Sequence, residues 1–153
     1  MTSGTDTSRG QAGTVGDLGI GILMLDTHFR RLPGDIGNAR SWSTPVQFRV
    51  VRGADPAAIV HGRPGDFLQP FIAAALDLVS CGVRGITTSC GFLALLQKEL
   101  AAALPVPVAT SSLLQAPLIE AMLPAGQQVG ILTFAPEALS ARHLAAVGVR
   151  TDT

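Results

Sequence analysis

Charge is scarce in this sequence. Of its 153 residues only 14% are Asp, Glu, Lys or Arg, and the formal net charge is zero. A chain with no basic excess lacks the electrostatic footprint expected for nucleic acid or for an anionic membrane surface. Cysteine is scarcer still, with Cys81 and Cys90 the only two. Two cysteines do not make a disulfide framework. They are also too few for a zinc site without histidine, and His28, His61 and His143 show no ligand spacing, so no metal is expected. Long hydrophobic runs are missing as well. No stretch approaches the roughly 20 apolar residues of a transmembrane helix. The apolar segment Gly19 to Leu25 is short, is followed by Asp26 and lacks a small-residue cleavage pattern. It reads as a core strand rather than a signal peptide. The expectation is a soluble cytoplasmic protein.

What is abundant is apolar surface: 47% of the residues are hydrophobic, enough for one ordinary core. Residues 1–16 are rich in Ser, Thr and Gly and read as a disordered tail. Leu18 to Leu25 reads as a first strand, ending at Asp26-Thr27. A long loop follows, His28 to Pro45, with Arg30, Arg31, Asn38, Arg40 and Trp42. Loops of this length in compact domains are functional or disordered, and this one leaves the carboxyl end of a strand. Val46 to Val51 alternates as a second strand, and Gly53 to Gly65 is turn-rich. Asp66 with Gln69 forms a capping-box pattern before an apolar stripe that runs from Phe67 to Val79 at helical spacing, with Gly82 as the stop. Val83 to Thr88 reads as a buried strand and Pro105 to Thr110 as another. Ser112 with Gln115 makes a second capping box, opening a helix from Leu113 to Leu123 bent at Pro117. Val129 to Phe134 reads as a further strand, and Pro136 to Val147 as a helix closed by Gly148.

This alternation predicts an α/β fold, a mostly parallel sheet with helices on both faces. It divides into a first α/β lobe at 17–125 and the start of a second lobe at 126–153, cut short. The polar strand ends, Asp26-Thr27, Thr88-Ser89-Cys90, Ser111-Ser112 and Thr133, then fall along one edge of the sheet. Open α/β sheets bind ligands beyond the carboxyl ends of their strands. Cys90 is the candidate catalytic residue. It ends a strand and starts a helix, where backbone N–H groups and the helix dipole favour a thiolate. The alternative is a small buried apolar residue, since free cysteine is among the most buried types. The hydroxyls are equally readable as helix caps. Cys81 lies a whole strand away, too far for a disulfide or for a shared substrate, and is read as structural.

Four segments carry a resemblance to the aspartate/glutamate racemase superfamily. They are Leu23-Met24-Leu25-Asp26-Thr27, Leu32-Pro33-Gly34-Asp35-Ile36-Gly37-Asn38, Ile86-Thr87-Thr88-Ser89-Cys90-Gly91-Phe92-Leu93 and Val106-Pro107-Val108-Ala109-Thr110-Ser111-Ser112-Leu113. The resemblance implies a flavodoxin- or Rossmann-like lobe and a cofactor-independent racemase or isomerase of amino-acid metabolism. Cysteine thiol and thiolate would move a proton at the carbon alpha to a carboxylate. It implies Cys90 as one acid/base, with Asp26, Thr27, Asn38, Ser89, Gly91, Phe92, Ser112 and Thr133 around a small carboxylate or amino-acid-like substrate. Gly91-Phe92 stands where such racemases often have Asn-Thr, and no second cysteine follows Cys90. The partner expected is therefore a second copy or a missing second half. The alternatives are an inactive fragment, a small carboxylate-binding module, or a single-cysteine isomerase or decarboxylase on the same scaffold.

Overall fold

The computed structural model describes residues 19–149, so the expected tail at 1–16 lies outside the described residues. Its centre is a four-stranded parallel sheet in the order β2-β1-β3-β4. The strands are β1 (Ile20–Leu25), β2 (Val46–Val51), β3 (Ile86–Thr88) and β4 (Val108–Ala109). The helices are α1 (Pro56–Val60), α2 (Leu68–Ser80), α3 (Gln97–Ala103), α4 (Ala116–Met122) and α5 (Ala141–Ala146). The α/β class with a parallel sheet is therefore the observed one.

Strand β1 is flanked by β2 and β3 and buried from Gly21 to Leu25, with Ile22 and Leu23 fully inaccessible. Side chains alternate across a strand. Leu23 and Leu25 join Phe71, Ala75 and Leu78 of α2 and Leu100 of α3 in the main core. Burying each large aliphatic or aromatic side chain contributes about 1.5–3 kcal/mol. Met24 points to the other face, where the loop after β1 crosses. There Gly37 approaches so closely that an added Cβ would overlap Met24 Cε and Arg31 Cδ. The loop is thus packed against the sheet at Gly37 and Arg31, while most of its other residues stay exposed.

Several element readings are corrected. Val129 to Phe134 is not a strand. A strand needs a ladder partner, and the open edge of β4 is already occupied. Ile86 N donates to Pro107 O, which turns Val108 O and Thr110 N outward. The Gln97 side chain meets both: Nε2 donates to Val108 O at 2.9 Å and Oε1 accepts from Thr110 N at 2.9 Å. One side-chain amide stands in for the next strand's peptide group.

Asp66 does not open α2. A 3-10 turn, Pro64–Phe67, precedes it, and the Asp66 carboxylate pairs with Arg63 at 3.4 Å. Gly82 does end the helix, at φ +95°. The turn-rich stretch holds α1, signalled by Asp55, which accepts from Ala58 N, and by Pro56 in the first turn. Ser111, not Ser112, caps the 3-10 turn Ser112–Gln115, and Pro117 sits in the first turn of α4 rather than at a bend. The last helix is only Ala141–Ala146. Ser140 is extended and makes a reciprocal cap with His143, which starts the helix there.

Candidate functional site

The chain leaves β1 toward β2 on one side and returns to β3 on the other. The gap beyond the carboxyl ends of β1 and β3 is therefore the topological switch point, where such sheets bind ligands. Ser89 holds the two strands together at this edge. Its N donates to Leu23 O at 2.9 Å and its Oγ accepts from Leu25 N at 3.1 Å. Ser89 is thereby spent on backbone geometry and aims the residue that follows.

That residue is Cys90, 8% exposed. Its backbone is fixed by Thr88, a buried side chain whose Oγ1 donates to Thr110 O at 2.7 Å and accepts from Cys90 N at 3.4 Å. After Cys90 the chain winds into a 3-10 helix, Gly91–Leu96, before α3 begins. Burial pushes the Cys90 thiol above its ordinary value. The backbone N–H groups of Phe92 and Leu93 donate toward the sulfur and pull the other way without overcoming burial.

Cys90 lines a cavity of about 410 Å³ together with Thr27, Phe29, Arg31, Asp35 and Phe134. Arg31 is its one cation. Nη1 donates to Asp35 Oδ1 at 2.8 Å and Nη2 donates to Thr27 Oγ1 at 3.0 Å. The guanidinium also lies over the Phe29 ring, 4.7 Å from its centroid. Burial alone would raise the Asp35 carboxyl. Hydrogen bonds from Arg31 and Gly37 N, with the Arg31 charge, outweigh it and hold the group below its ordinary value. Two bonds and a ring thus orient Arg31 while it keeps further N–H donors. Such a group suits a carboxylate.

The residues expected around Cys90 divide. Thr27, Ser89 and Gly91 line its cavity. Phe92, Ser112 and Thr133 line an adjoining cavity of about 530 Å³, which Gly91 and Phe134 share. That larger space has neither a charged side chain nor a thiol in its lining. Asp26 does not reach either one. Its Oδ2 accepts from Gly53 N at 2.9 Å and ties the turn after β2 to β1. Asn38 is a loop brace, its Nδ2 donating to Arg31 O and its Oδ1 accepting from Arg40 N, each at 2.8 Å. The residue missing from the expected set is Arg31. Its signal was the Arg31 and Asp35 pair, four apart, beside Gly37. Cys81, at the carboxyl end of α2, is exposed and free.

No family model matches the chain, and no solved structure matches it. Curated relatives do. A dimethylsulfoniopropionate lyase of Durusdinium sp. clade D is 30% identical over 126 residues, 81% of this chain and 42% of that protein. Dimethylsulfoniopropionate lyase 3 of Emiliania huxleyi is 33% identical over 121 residues, 78% of this chain and 32% of that protein. Lyase 7 of the same alga is 32% identical over 121 residues, 78% of this chain and 36% of that protein. The chain thus spans about two fifths or less of the length of these relatives.

These names correct the racemase resemblance, since they belong to a different enzyme family and to a lyase. The racemase and isomerase activities fall with it, and nothing favours a decarboxylase. The reason is chemical. A cysteine at a strand end beside an arginine-bearing loop is a pattern that suits proton removal. It does not say whether the electron pair left behind is reprotonated or expels a leaving group. The matched relatives are lyases, the class of enzyme in which a bond is broken by elimination.

Proposed function

We propose that this chain carries a cysteine-centred site for elimination from a sulfonio carboxylate, the substrate named in its relatives. Dimethylsulfoniopropionate has a carboxylate, a neighbouring CH₂ and a dimethylsulfonium group on the next carbon. The proton alpha to the carboxylate is weakly acidic, so a base and a fixed cation are both needed. In this reading Arg31 holds the carboxylate and the Cys90 thiolate takes the proton. The C–H pair becomes the new C=C bond. The C–S pair leaves with sulfur as neutral dimethyl sulfide, and acrylate remains. The proton passes from the thiol to solvent. No oxidant or reductant is needed for the balance.

The observation that carries the reading is that Cys90 and Arg31 line one cavity at the switch point. The N–H groups of Phe92 and Leu93 then stabilise the thiolate whenever it forms. Thr27 positions Arg31 through its hydroxyl. The test is proton NMR of the chain with dimethylsulfoniopropionate. Vinyl signals of acrylate should grow in with loss of the sulfonium methyl signal, and Cys90→Ala should slow them by about 10²–10⁴-fold. Absence of acrylate from the unmodified chain, or equal rates in the two proteins, would reject the reading.

A further inference from the structure

We propose that the Cys90 cavity selects carboxylates that also carry an onium group, and that Phe29 and Phe134 are the residues that recognise the cationic end. The inference deepens the elimination reading and rests on it for the identity of the site.

Two large aromatic side chains stay exposed at the cavity, Phe29 at 60% and Phe134 at 78%. Neither is needed by the core. Both are nevertheless held. Phe134 meets the buried Phe92 ring edge-on, centroids 5.5 Å apart at 66°. Phe29 carries the Arg31 guanidinium on one face, so this ring already serves as a cation acceptor. Phenyl faces attract ammonium and sulfonium methyl groups, whose hydrogens share the positive charge.

The charge balance points the same way. Among the lining residues Arg31 is the one cation and Asp35 the one anion, so the cavity is formally neutral with Cys90 as a thiol. A zwitterion enters without adding net charge. A dicarboxylate brings two negative charges to one guanidinium already committed to Asp35. A plain fatty acid satisfies Arg31 but leaves the aromatic faces without their cation. An onium carboxylate satisfies both ends.

The test uses ligands that do not eliminate. Trimethylammoniopropionate keeps both charges. Its neutral isostere, with tert-butyl in place of trimethylammonio, keeps shape and carboxylate alone. Titration calorimetry on the full chain should give the onium acid about tenfold tighter binding than the isostere. Phe134→Leu should weaken the onium acid about threefold and leave the isostere unchanged, while Phe29→Leu, which also removes the ring beneath Arg31, should weaken the onium acid more than the isostere. Arg31→Gln should weaken both ligands. Because both phenyl groups are exposed, the leucine variants should keep the wild-type unfolding midpoint. Equal affinity for the two ligands, parallel losses in the leucine variants, or no binding of either ligand would overturn the inference. The acrylate assay separates the two claims. Discrimination without acrylate would sink the elimination reading alone, and acrylate without discrimination would sink the onium reading alone.

Discussion

Cys90 is pulled in two directions, and the balance has a visible consequence. Burial raises its thiol above the ordinary value of 9.0, and two backbone N–H groups only partly compensate. The folded chain therefore holds the thiol proton more tightly than the unfolded chain does. The resulting stability is whole below the unfolded value and is lost as pH rises through the folded one. The unfolding midpoint should fall above about pH 9 more steeply in the wild type than in Cys90→Ala. Acrylate formation should rise over the same alkaline range, because in the proposed reaction the base is the thiolate. Identical midpoint profiles for the two proteins from pH 8 to 11 would show that the thiol is not under this strain.

The elements show what the residue pattern could reveal and where it stopped. The strands β1, β2 and β3 and the apolar stripe of α2 were legible because each has a period and a stop signal, with Gly82 at φ +95° as the plainest. So was Cys90, placed at a strand end by its neighbours. The Val129 to Phe134 segment was misread because its β-branched and aromatic residues have strand propensity, which says nothing about whether a partner edge is free. That edge is closed by Gln97, which lies on another element well before the segment in sequence. Arg31 was passed over as a site residue for a similar reason: its partners Thr27 and Asp35 become one cluster only when the loop folds back on Met24. Asp26 and Asn38 are expected at the substrate, whereas in the structure their side chains meet backbone groups of Gly53, Arg31 and Arg40.

Gln97 makes a prediction at this scale. Its side chain also accepts from Thr110 Oγ1 at 2.8 Å, so one amide satisfies three groups around the end of β4. Gln97→Leu keeps much of the volume and removes every one of these bonds. Leaving polar groups without partners costs about 1–3 kcal/mol each when they are buried. Thr110 is 1% exposed, so its share of the loss should be near the full value. Denaturant unfolding should show a destabilisation of about 2–4 kcal/mol. A change below about 0.5 kcal/mol would mean that the loop after β4 does not depend on this amide.

At the scale of the molecule the unsolved problem is an apolar face. Leu118 and Met122 on α4 are each 66% exposed, and Leu132 is fully exposed. Ile119 of α4 and Ile131 and Leu132 of the extended segment line one shallow cavity, so the two elements form a continuous surface. No helix among the described residues is long and apolar enough to cross a membrane. Contiguous exposed apolar patches favour association. The form of that association is constrained. Gln97 closes the edge of β4, so a second copy cannot add to the sheet there and must pack through side chains. We expect sedimentation velocity to show a mean mass that rises with concentration. Leu132→Ser combined with Met122→Ser should hold the mass at that of one chain, with an unchanged unfolding midpoint because neither side chain is in the core. Those two residues lie outside the Cys90 cavity, so acrylate formation should survive in the double variant. A wild-type mass that stays constant over a hundredfold range of concentration would remove the case for self-association.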